Sequence, residues 1–278
     1  FLRPIREVPG ADGKALTIAV PIKDKTVQAK IWRIDVGRVP LYLLDANLGH
    51  NPPELRRITD MLYVSDRTLR LEQELLLGRG AEIALRTLGI APRIYHLNEG
   101  HTAFIVIERL QHLMNEKGYS LDEARKIVRY STVFTTHTPV DEGNERFDEE
   151  LVTEYLEDDI AALGMTNEAF LDLGKVEKKD KAFCLPAFAI RHANYTNGVS
   201  KIHASVSRNM WGDLFPLMHP SEYPIDSITN GVHLQTWLGL QMTDLFNRYI
   251  GPDYLHKADY SELWDKVDSI PEAEVWNA

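Results

Sequence analysis

The sequence predicts an α/β protein in which a parallel sheet is flanked by helices. Apolar runs of strand length alternate with longer helical segments between Arg93 and Trp211. Such alternation favours parallel strands joined by right-handed crossovers. Polar residues also follow the predicted strands, at the carboxyl ends where open α/β sheets bind ligands. The first ninety residues contribute strands and one long helix before this alternation begins.

The first predicted elements are strands. The residues from Leu16 to Asp45 are rich in Val, Ile, Leu and Tyr, in the runs ALTIAV, TVQAKIWRIDV and VPLYLLDA. Gly37 separates the last two runs, as in a hairpin-type connection. A loop is expected from Asn47 to Arg57, because two consecutive prolines block regular structure until Glu54.

Helices and strands then alternate. A long helix is predicted from Asp66 to Leu88, with Asp66 as its N-cap and Gly89 as its end. A buried strand follows from Arg93 and ends at Asn98. The next helix runs from about His101 to Glu116 and stops at Gly118.

The second half continues the same pattern. Ser120 and Glu123 form a capping box at the start of a helix that ends at Tyr130 and leads into the strand VFTTHT. The segment from Glu142 to Lys181 is predicted to be helical, acidic at first and then Lys-rich. The remaining predictions are a helix from Pro186 to His192, a strand or turn at TNGVSK, a helix from Ile202 to Trp211, a strand at DSITNGV and two short helices around Gly251 and Pro252.

Composition excludes several classes of protein. The chain has 278 residues, 44% of them hydrophobic and 26% charged, which indicates a globular fold. Its net charge of −10 disfavours nucleic acid or an anionic membrane as the main partner. No apolar run approaches about 18 residues, so no membrane span is expected. The single cysteine, Cys184, fits a reducing, cytoplasmic compartment. Because the chain starts with Phe1, we expect it to be a piece of a longer protein.

The junction HLNEGHTAF, from His96 to Phe104, is the strongest candidate site. Asn98, Glu99 and His101 follow the predicted strand directly and offer amide, carboxylate and imidazole groups to polar hydroxyls. Each of them could instead be structural, for instance as a helix cap. No zinc motif such as H-E-x-x-H is present, and we expect no metal.

Three further junctions have polar residues. Thr136 and His137 end the strand VFTTHT. Alternation allows at most half of the residues in TTHT to line one surface. Asn197–Gly198 and Asn230–Gly231 follow later strands, either as tight turns or as places where the backbone approaches a ligand. Four polar junctions in one α/β chain predict a shared cleft.

Taken together, these motifs resemble the α-glucan (glycogen, starch and maltodextrin) phosphorylases of the bacterial and archaeal branch. The resemblance rests on the segments HLNEGHTAF, TVFTTHTPV, NGVSKIHASVSRNMW and ITNGVHLQTW, preceded by LYLLDAN and LYVSDRTLRLEQELLLG. It covers essentially the whole chain. It implies a Rossmann-like domain that forms one half of the GT-B glycosyltransferase architecture, with residues 1–278 as part of the amino-terminal domain.

The resemblance also implies an activity. The family degrades α-1,4-glucans reversibly with inorganic phosphate to glucose 1-phosphate, using pyridoxal 5′-phosphate. The family's phosphate-binding glycine loop and its pyridoxal lysine motif do not occur in this sequence, so no cofactor is expected on this segment and the segment alone is expected to be inactive. Members are often homodimers. The resemblance assigns Asn98, Glu99 and His101 to the sugar side of the cleft, together with the loop at Asn197 and Gly198.

Two other functions stay open. A glycogen or starch synthase-like transferase, which uses a nucleotide sugar, has a similar strand-to-helix histidine motif; the long upstream block favours the phosphorylase. A non-catalytic glucan-binding module is the second alternative. The tryptophans are spaced too irregularly for an obvious sugar-stacking strip, which argues against such a module.

Overall fold

The structure is a computed structural model that describes residues 5–278. The chain divides into two compact units, the first ending at Thr229 and the second running from Asn230 to Ala278. The first unit contains every strand of the described residues and the candidate site at Asn98. The second unit is helical.

The first unit has strands β1 (Arg6–Glu7), β2 (Thr17–Ile22), β3 (Lys25–Val36), β4 (Val39–Asp45), β5 (Tyr95–Asn98), β6 (Thr132–Thr136), β7 (Arg146–Asp148), β8 (Ala182–Cys184), β9 (Tyr195–Gly198) and β10 (Ile225–Ser227). Its helices are α1 (Pro53–Arg56), α2 (Arg67–Thr87), α3 (Ile105–Lys117), α4 (Leu121–Tyr130), α5 (Glu149–Ala162), α6 (Asn167–Leu171), α7 (Leu185–Arg191) and α8 (Lys201–Met210). Over residues 5–278, none of the helices combines the length and the apolar character needed to cross a bilayer.

An antiparallel sheet forms the amino-terminal part of the first unit. β3 pairs with β2 along its first half and with β4 along its second half, and β1 pairs with it at Trp32 and Arg33. Gly37, at φ +62°, makes the predicted hairpin between β3 and β4. The alternating pattern of β2 buries Ile18, Val20 and Ile22 against the rest of the unit. The predicted strands in this region are thus confirmed.

The central sheet is parallel, with strand order β10-β9-β6-β5. Each neighbouring pair in it is parallel, and helices connect the strands. This confirms an α/β fold with a parallel sheet flanked by helices. In the register, Asn98 lies opposite Thr135, and Thr135 lies opposite Asn197. The carboxyl ends of β5, β6 and β9 therefore meet at one edge.

The long helix α2 packs against α3 and the antiparallel sheet. It begins as predicted after Asp66, whose carboxylate accepts a hydrogen bond from the backbone N–H of Leu69. Gly78 allows the backbone of α2 to approach α3 closely, since a Cβ there would lie 2.7 Å from the nitrogen of Ile105. The capping box predicted at Ser120 and Glu123 is present at the start of α4. These local signals fixed the helix boundaries correctly.

The segment from Glu142 to Lys181 is not helical throughout, in contrast to the prediction. It contains α5 and α6. It also contains β7, which forms a two-stranded antiparallel pair with β8 directly after the segment. Each of these strands has only three residues, too few to show an alternating pattern. Tertiary packing stabilises the pair, because Phe147 and Phe183 are buried and the ring of Phe183 stacks on Phe170 at 5.5 Å. The short helix α1 was likewise missed inside the predicted loop.

The second unit contains helices α9 (Leu234–Trp237), α10 (Leu240–Tyr249), α11 (Ser261–Trp264) and α12 (Glu272–Asn277). Its interior is aromatic: the rings of Phe246, Tyr254 and Trp264 pack edge to face, with centroids 5.5 to 6.2 Å apart. Gly251, at φ +94°, makes the turn that the sequence placed between short helices.

We predict that His192 makes the fold sensitive to acid. Burial lowers the pKa of His192 to about 4, and its Nδ1 bonds to the carbonyl of Phe188 at 2.8 Å. Above the unfolded-state pKa of about 6.5 both states hold a neutral imidazole. As the pH falls from there towards 4, only the unfolded state gains a proton, so up to about 3 kcal/mol of stability is lost.

The measurement is the free energy of unfolding in urea between pH 7.5 and 4 for the wild type and His192→Leu. The difference between the two proteins should change with pH only below about 6.5. A difference that stays constant over this range would show that His192 does not titrate on unfolding.

Candidate active site at the strand ends

A chain of side-chain hydrogen bonds joins the three aligned strand ends. The hydroxyl of Thr135 donates to Oδ1 of Asn197 at 2.9 Å, and His96 Nε2 lies 2.7 Å from the same hydroxyl. Because a threonine hydroxyl has one proton, His96 must donate from Nε2. Asn197 is 3% exposed and donates in turn to the carbonyl of Gly198. These bonds hold β5, β6 and β9 in register at the candidate site.

Glu99 joins the ends of β5 and β6. Its Oε2 accepts hydrogen bonds from the backbone N–H of His137 at 2.8 Å and from the N–H and hydroxyl of Thr138, both at 3.0 Å. Its own N–H donates to the carbonyl of Thr135 at 2.8 Å. The backbone of Glu99 lies at φ +69° and ψ 171°, a region that residues other than glycine rarely adopt. Nε2 of His137 is hydrogen-bonded to Oδ1 of Asn98.

His101 belongs to a network of charged side chains. Its Nδ1 lies 3.2 Å from Glu74 and 2.9 Å from Nη2 of Arg70. The hydrogen bond with Glu74 raises the pKa of His101. Arg70 pairs with both Glu74 and Glu145 at 2.8 Å. Burial opposes ionisation of Glu145, but the bonds from Arg70 and Arg67 outweigh it and lower its pKa.

The same network has the composition of a metal site. Glu74, His101 and Glu145 present ligand atoms within 4.8 Å of one another. Arg70, however, lies against both carboxylates, in the position that a cation would take. Arg67 also pairs with Glu145, at 2.7 Å. Because two guanidinium groups already balance the two carboxylates, the geometry favours an ion-pair network over metal binding.

A polar cavity of about 270 Å³ adjoins both groups of residues. Its lining consists of Tyr63, Val64, Arg70, Glu99, Gly100, His101, Thr138, Gly143, Asn144, Glu145 and Pro186. Asn144 is 7% exposed, and its Oδ1 has no hydrogen-bond partner within residues 5–278. A larger cavity of about 650 Å³ shares Arg70 and His101 but is lined mainly by Leu, Ile, Met and Ala side chains. The polar cavity is therefore the better match to a ligand with many hydroxyls.

The predicted site residues fall into different positions. Asn98, Glu99 and His137 lie together at the ends of β5 and β6, and His101 reaches the polar cavity through the 3₁₀ turn that follows β5. Thr136 is fully buried, and its hydroxyl has no partner within residues 5–278. Asn230–Gly231, the fourth predicted junction, falls in the second unit.

Gly198 has a packing reason to be glycine. A Cβ at this position would lie 2.8 Å from Nδ1 of His203 and 2.9 Å from the nitrogen of Ala204. Its φ lies outside the left-handed region, so the tight-turn interpretation does not explain it. Gly198 instead lets the end of β9 pack against the start of α8.

Sequence reasoning missed Arg70, Asn144 and Glu145, which also line the polar cavity. Arg70 and Glu74 are four residues apart on a charged helix face, a pattern that usually indicates solvent exposure. In the structure this face of α2 is buried, because Arg70 contacts Glu74 and Glu145. Asn144 and Glu145 lie in the acidic start of the segment that the sequence predicts to be helical, and acidic residues of this kind are usually exposed to solvent.

Comparison with known proteins identifies the family. A family model described as carbohydrate phosphorylase matches residues 56–270. The chain belongs to the carbohydrate phosphorylase family. Maltodextrin phosphorylase of Thermococcus litoralis is 40% identical over 279 residues, covering 99% of this chain and 32% of that protein. Glycogen phosphorylases of Mycobacterium tuberculosis and Aquifex aeolicus are 37% and 35% identical, over 98% and 99% of this chain. The phosphorylase chain thus spans about a third of the length of these relatives, from 32% to 39%.

We predict that Arg70→Met destabilises this phosphorylase chain by about 3–5 kcal/mol, because it leaves the nearly inaccessible Glu74 without its cationic partner. The matched control is Arg6→Met, which removes the exposed pair with Asp35 and should cost less than about 1 kcal/mol. Urea unfolding at pH 7 measures both losses. Equal losses in the two variants would contradict the importance assigned to Arg70.

Gly198→Ala should lower stability by about 1–3 kcal/mol, because its Cβ has to displace the start of α8. Gly49→Ala is the control, since the nearest atom to its Cβ would be a flexible Arg56 nitrogen 3.8 Å away. Thermal unfolding of the two variants side by side tests the difference. A Gly198→Ala protein as stable as the control would favour a loose junction at this strand end.

Proposed function

We propose that the whole protein containing this chain catalyses the reversible phosphorolysis of α-1,4-glucans to glucose 1-phosphate. Membership of the carbohydrate phosphorylase family is the observation on which the proposal depends. Relatives named for maltodextrin and glycogen support the class of substrate. The polar groups gathered at the strand ends supply the hydrogen-bonding capacity that a hexose requires.

The proposed architecture is GT-B, with residues 1–278 forming part of the amino-terminal Rossmann-like domain. The parallel sheet of the first unit supports this assignment, because ligands in such sheets bind at the carboxyl ends of the strands. The second domain of a GT-B enzyme would face these ends and close the cleft. Homodimerisation and a cytoplasmic location remain proposals, the latter supported by the buried, unpaired Cys184. The charge of −10 supports partners other than nucleic acid and anionic membranes.

The cofactor proposed for the whole protein is pyridoxal 5′-phosphate. In this family its phosphate group would serve as a proton relay to inorganic phosphate. The polar cavity is lined by no lysine of the described residues, so the aldehyde of the cofactor would find no amine there. We therefore propose that residues outside this chain hold the cofactor.

On this chain the proposed sugar-side residues are Asn98, Glu99, His101, Thr136, His137, Asn197 and Gly198. They would act by contacting sugar hydroxyls or by holding the groups that do. Each neutral hydrogen bond contributes about 0.5–1.5 kcal/mol net, so several are needed to position one glucosyl unit. Positioning of this kind raises rate by placing the glycosidic bond in reach of the attacking phosphate.

The test is release of glucose 1-phosphate from maltodextrin by the full-length protein. With inorganic phosphate present, purified holoenzyme should form glucose 1-phosphate in a coupled assay, and no product should appear when phosphate is omitted. Glucosyl transfer from a nucleotide sugar, without phosphorolysis, would favour the synthase-like alternative and reject the proposal.

The 278-residue chain by itself is the second arm. It should form no detectable glucose 1-phosphate, because the groups proposed to bind phosphate and cofactor lie outside it. Isothermal titration with maltoheptaose should also show negligible heat for a site divided between two domains. Tight binding by the chain alone would instead favour a glucan-binding module.

A further inference from the structure

Glu99 has an unusual backbone conformation for a residue other than glycine, with a positive φ. Among the non-glycine residues that the structure describes, only Lys23 and Glu99 have positive φ. Lys23 lies in the tight hairpin between β2 and β3, where such a conformation is normal. Glu99 lies directly after a parallel strand, at φ +69° and ψ 171°, where a hairpin offers no explanation. Strained residues of this kind gather at functional sites.

The side chain of Glu99 is already engaged. Oε2 accepts three hydrogen bonds from the His137–Thr138 segment, at 2.8, 3.0 and 3.0 Å. Oε1 accepts a longer bond of 3.3 Å from the N–H of Gly100. A carboxylate oxygen with three donors has no lone pair left for a sugar hydroxyl. The carboxylate of Glu99 therefore binds donors of the protein itself, mainly backbone N–H groups, and not a ligand.

We propose that Glu99 is a positioning residue: its carboxylate fixes the main chain of His137 and Thr138 at the carboxyl end of β6, and thereby the imidazole of His137, next to the polar cavity that Glu99 and Thr138 line. This inference rests on the proposed function, because it assigns His137 to the sugar side of the cleft. Without Glu99, the bond between His137 and Asn98 would be the one hydrogen bond left to His137 and Thr138 among the described residues.

The geometry explains why position matters here. His137 is exposed, whereas Thr135 and Thr136 just before it are buried. The chain thus leaves the sheet within two residues, and β6 pairing ends at Thr136. Backbone beyond the end of a strand has no ladder to hold it. Glu99 supplies the missing acceptor for two consecutive N–H groups.

The first test is hydrogen exchange in the full-length protein without substrate. Glu99→Gly removes the carboxylate, and glycine adopts φ +69° without strain. Exchange at the amides of His137 and Thr138 should become about 10-fold faster or more, as expected for the loss of a bond to a charged acceptor. The matched control, Glu142→Gly, changes an exposed residue of the following turn and should leave these two amides unchanged.

The second test is steady-state phosphorolysis of maltodextrin. For Glu99→Gly we expect kcat to fall by about 10–100-fold while KM changes by less than about 3-fold, because misplacement acts mainly on the transition state. Global unfolding temperature should stay close to that of the control. Glu99→Gln, whose amide oxygen can still accept, should recover part of kcat. If Glu99→Gly does not fold, Thr138→Val removes one of the three donors and should show a smaller change in the same direction.

The outcomes separate the two proposals. Unchanged exchange at His137 and Thr138 overturns the positioning role, whatever the enzyme does. Faster exchange with unchanged kcat also overturns it, because the segment would then be tied for stability alone. If KM rises by a larger factor than kcat falls, the result would indicate that Glu99 binds the sugar directly. A wild-type holoenzyme that forms no glucose 1-phosphate rejects the proposed function, and the exchange data would still report on the contact.

Discussion

The alignment of three parallel strand ends is the constraint on which the candidate site depends. Asn98, Thr135 and Asn197 are neighbours in the register of β5, β6 and β9. A shift of one residue in either pairing would turn these side chains to the opposite face of the sheet. The hydrogen bonds from His96 through Thr135 to Asn197 oppose such a shift, because breaking them would leave buried polar groups unpaired. The register therefore brings these polar groups together, and their hydrogen bonds in turn stabilise the register.

Burial of charge is the second constraint. Arg70 lies between Glu74 and Glu145, and the three side chains are at most 15% exposed. A buried ion pair contributes little net stability compared with apolar packing, but removal of one partner is costly. The network therefore contributes little net stability, and its main effect is to hold charged side chains in fixed positions along one side of the polar cavity. The hydrogen bond with the neighbouring Glu74 also raises the pKa of His101.

The local signals of the sequence were sufficient for most of the first unit. Caps and glycine stops located α2, α3 and α4, and short runs rich in Val, Ile, Leu and Tyr located β2 to β4. Apolar runs between the helical segments located the parallel strands. The pair β7–β8 could not be found, because three-residue strands exist only through the packing of Phe147 and Phe183. At the site, strand ends indicated Asn98, Glu99 and His137. Arg70 and Asn144 were out of reach, since a charged helix face and an acidic run look the same whether they face water or a cavity.

The balance of groups in the polar cavity favours a neutral, hydroxyl-rich ligand over an anion. Arg70 is paired with two carboxylates, and His101 faces Glu74 and Glu99, both of which raise its pKa. No excess positive charge is left among the described lining residues to attract phosphate. This balance supports the proposal that the chain contributes the sugar side of a phosphorolysis site. Under the same proposal, stabilisation of the attacking phosphate, which needs concentrated positive charge in a water-excluded cleft, would come from residues outside this chain, which spans about a third of the length of its relatives.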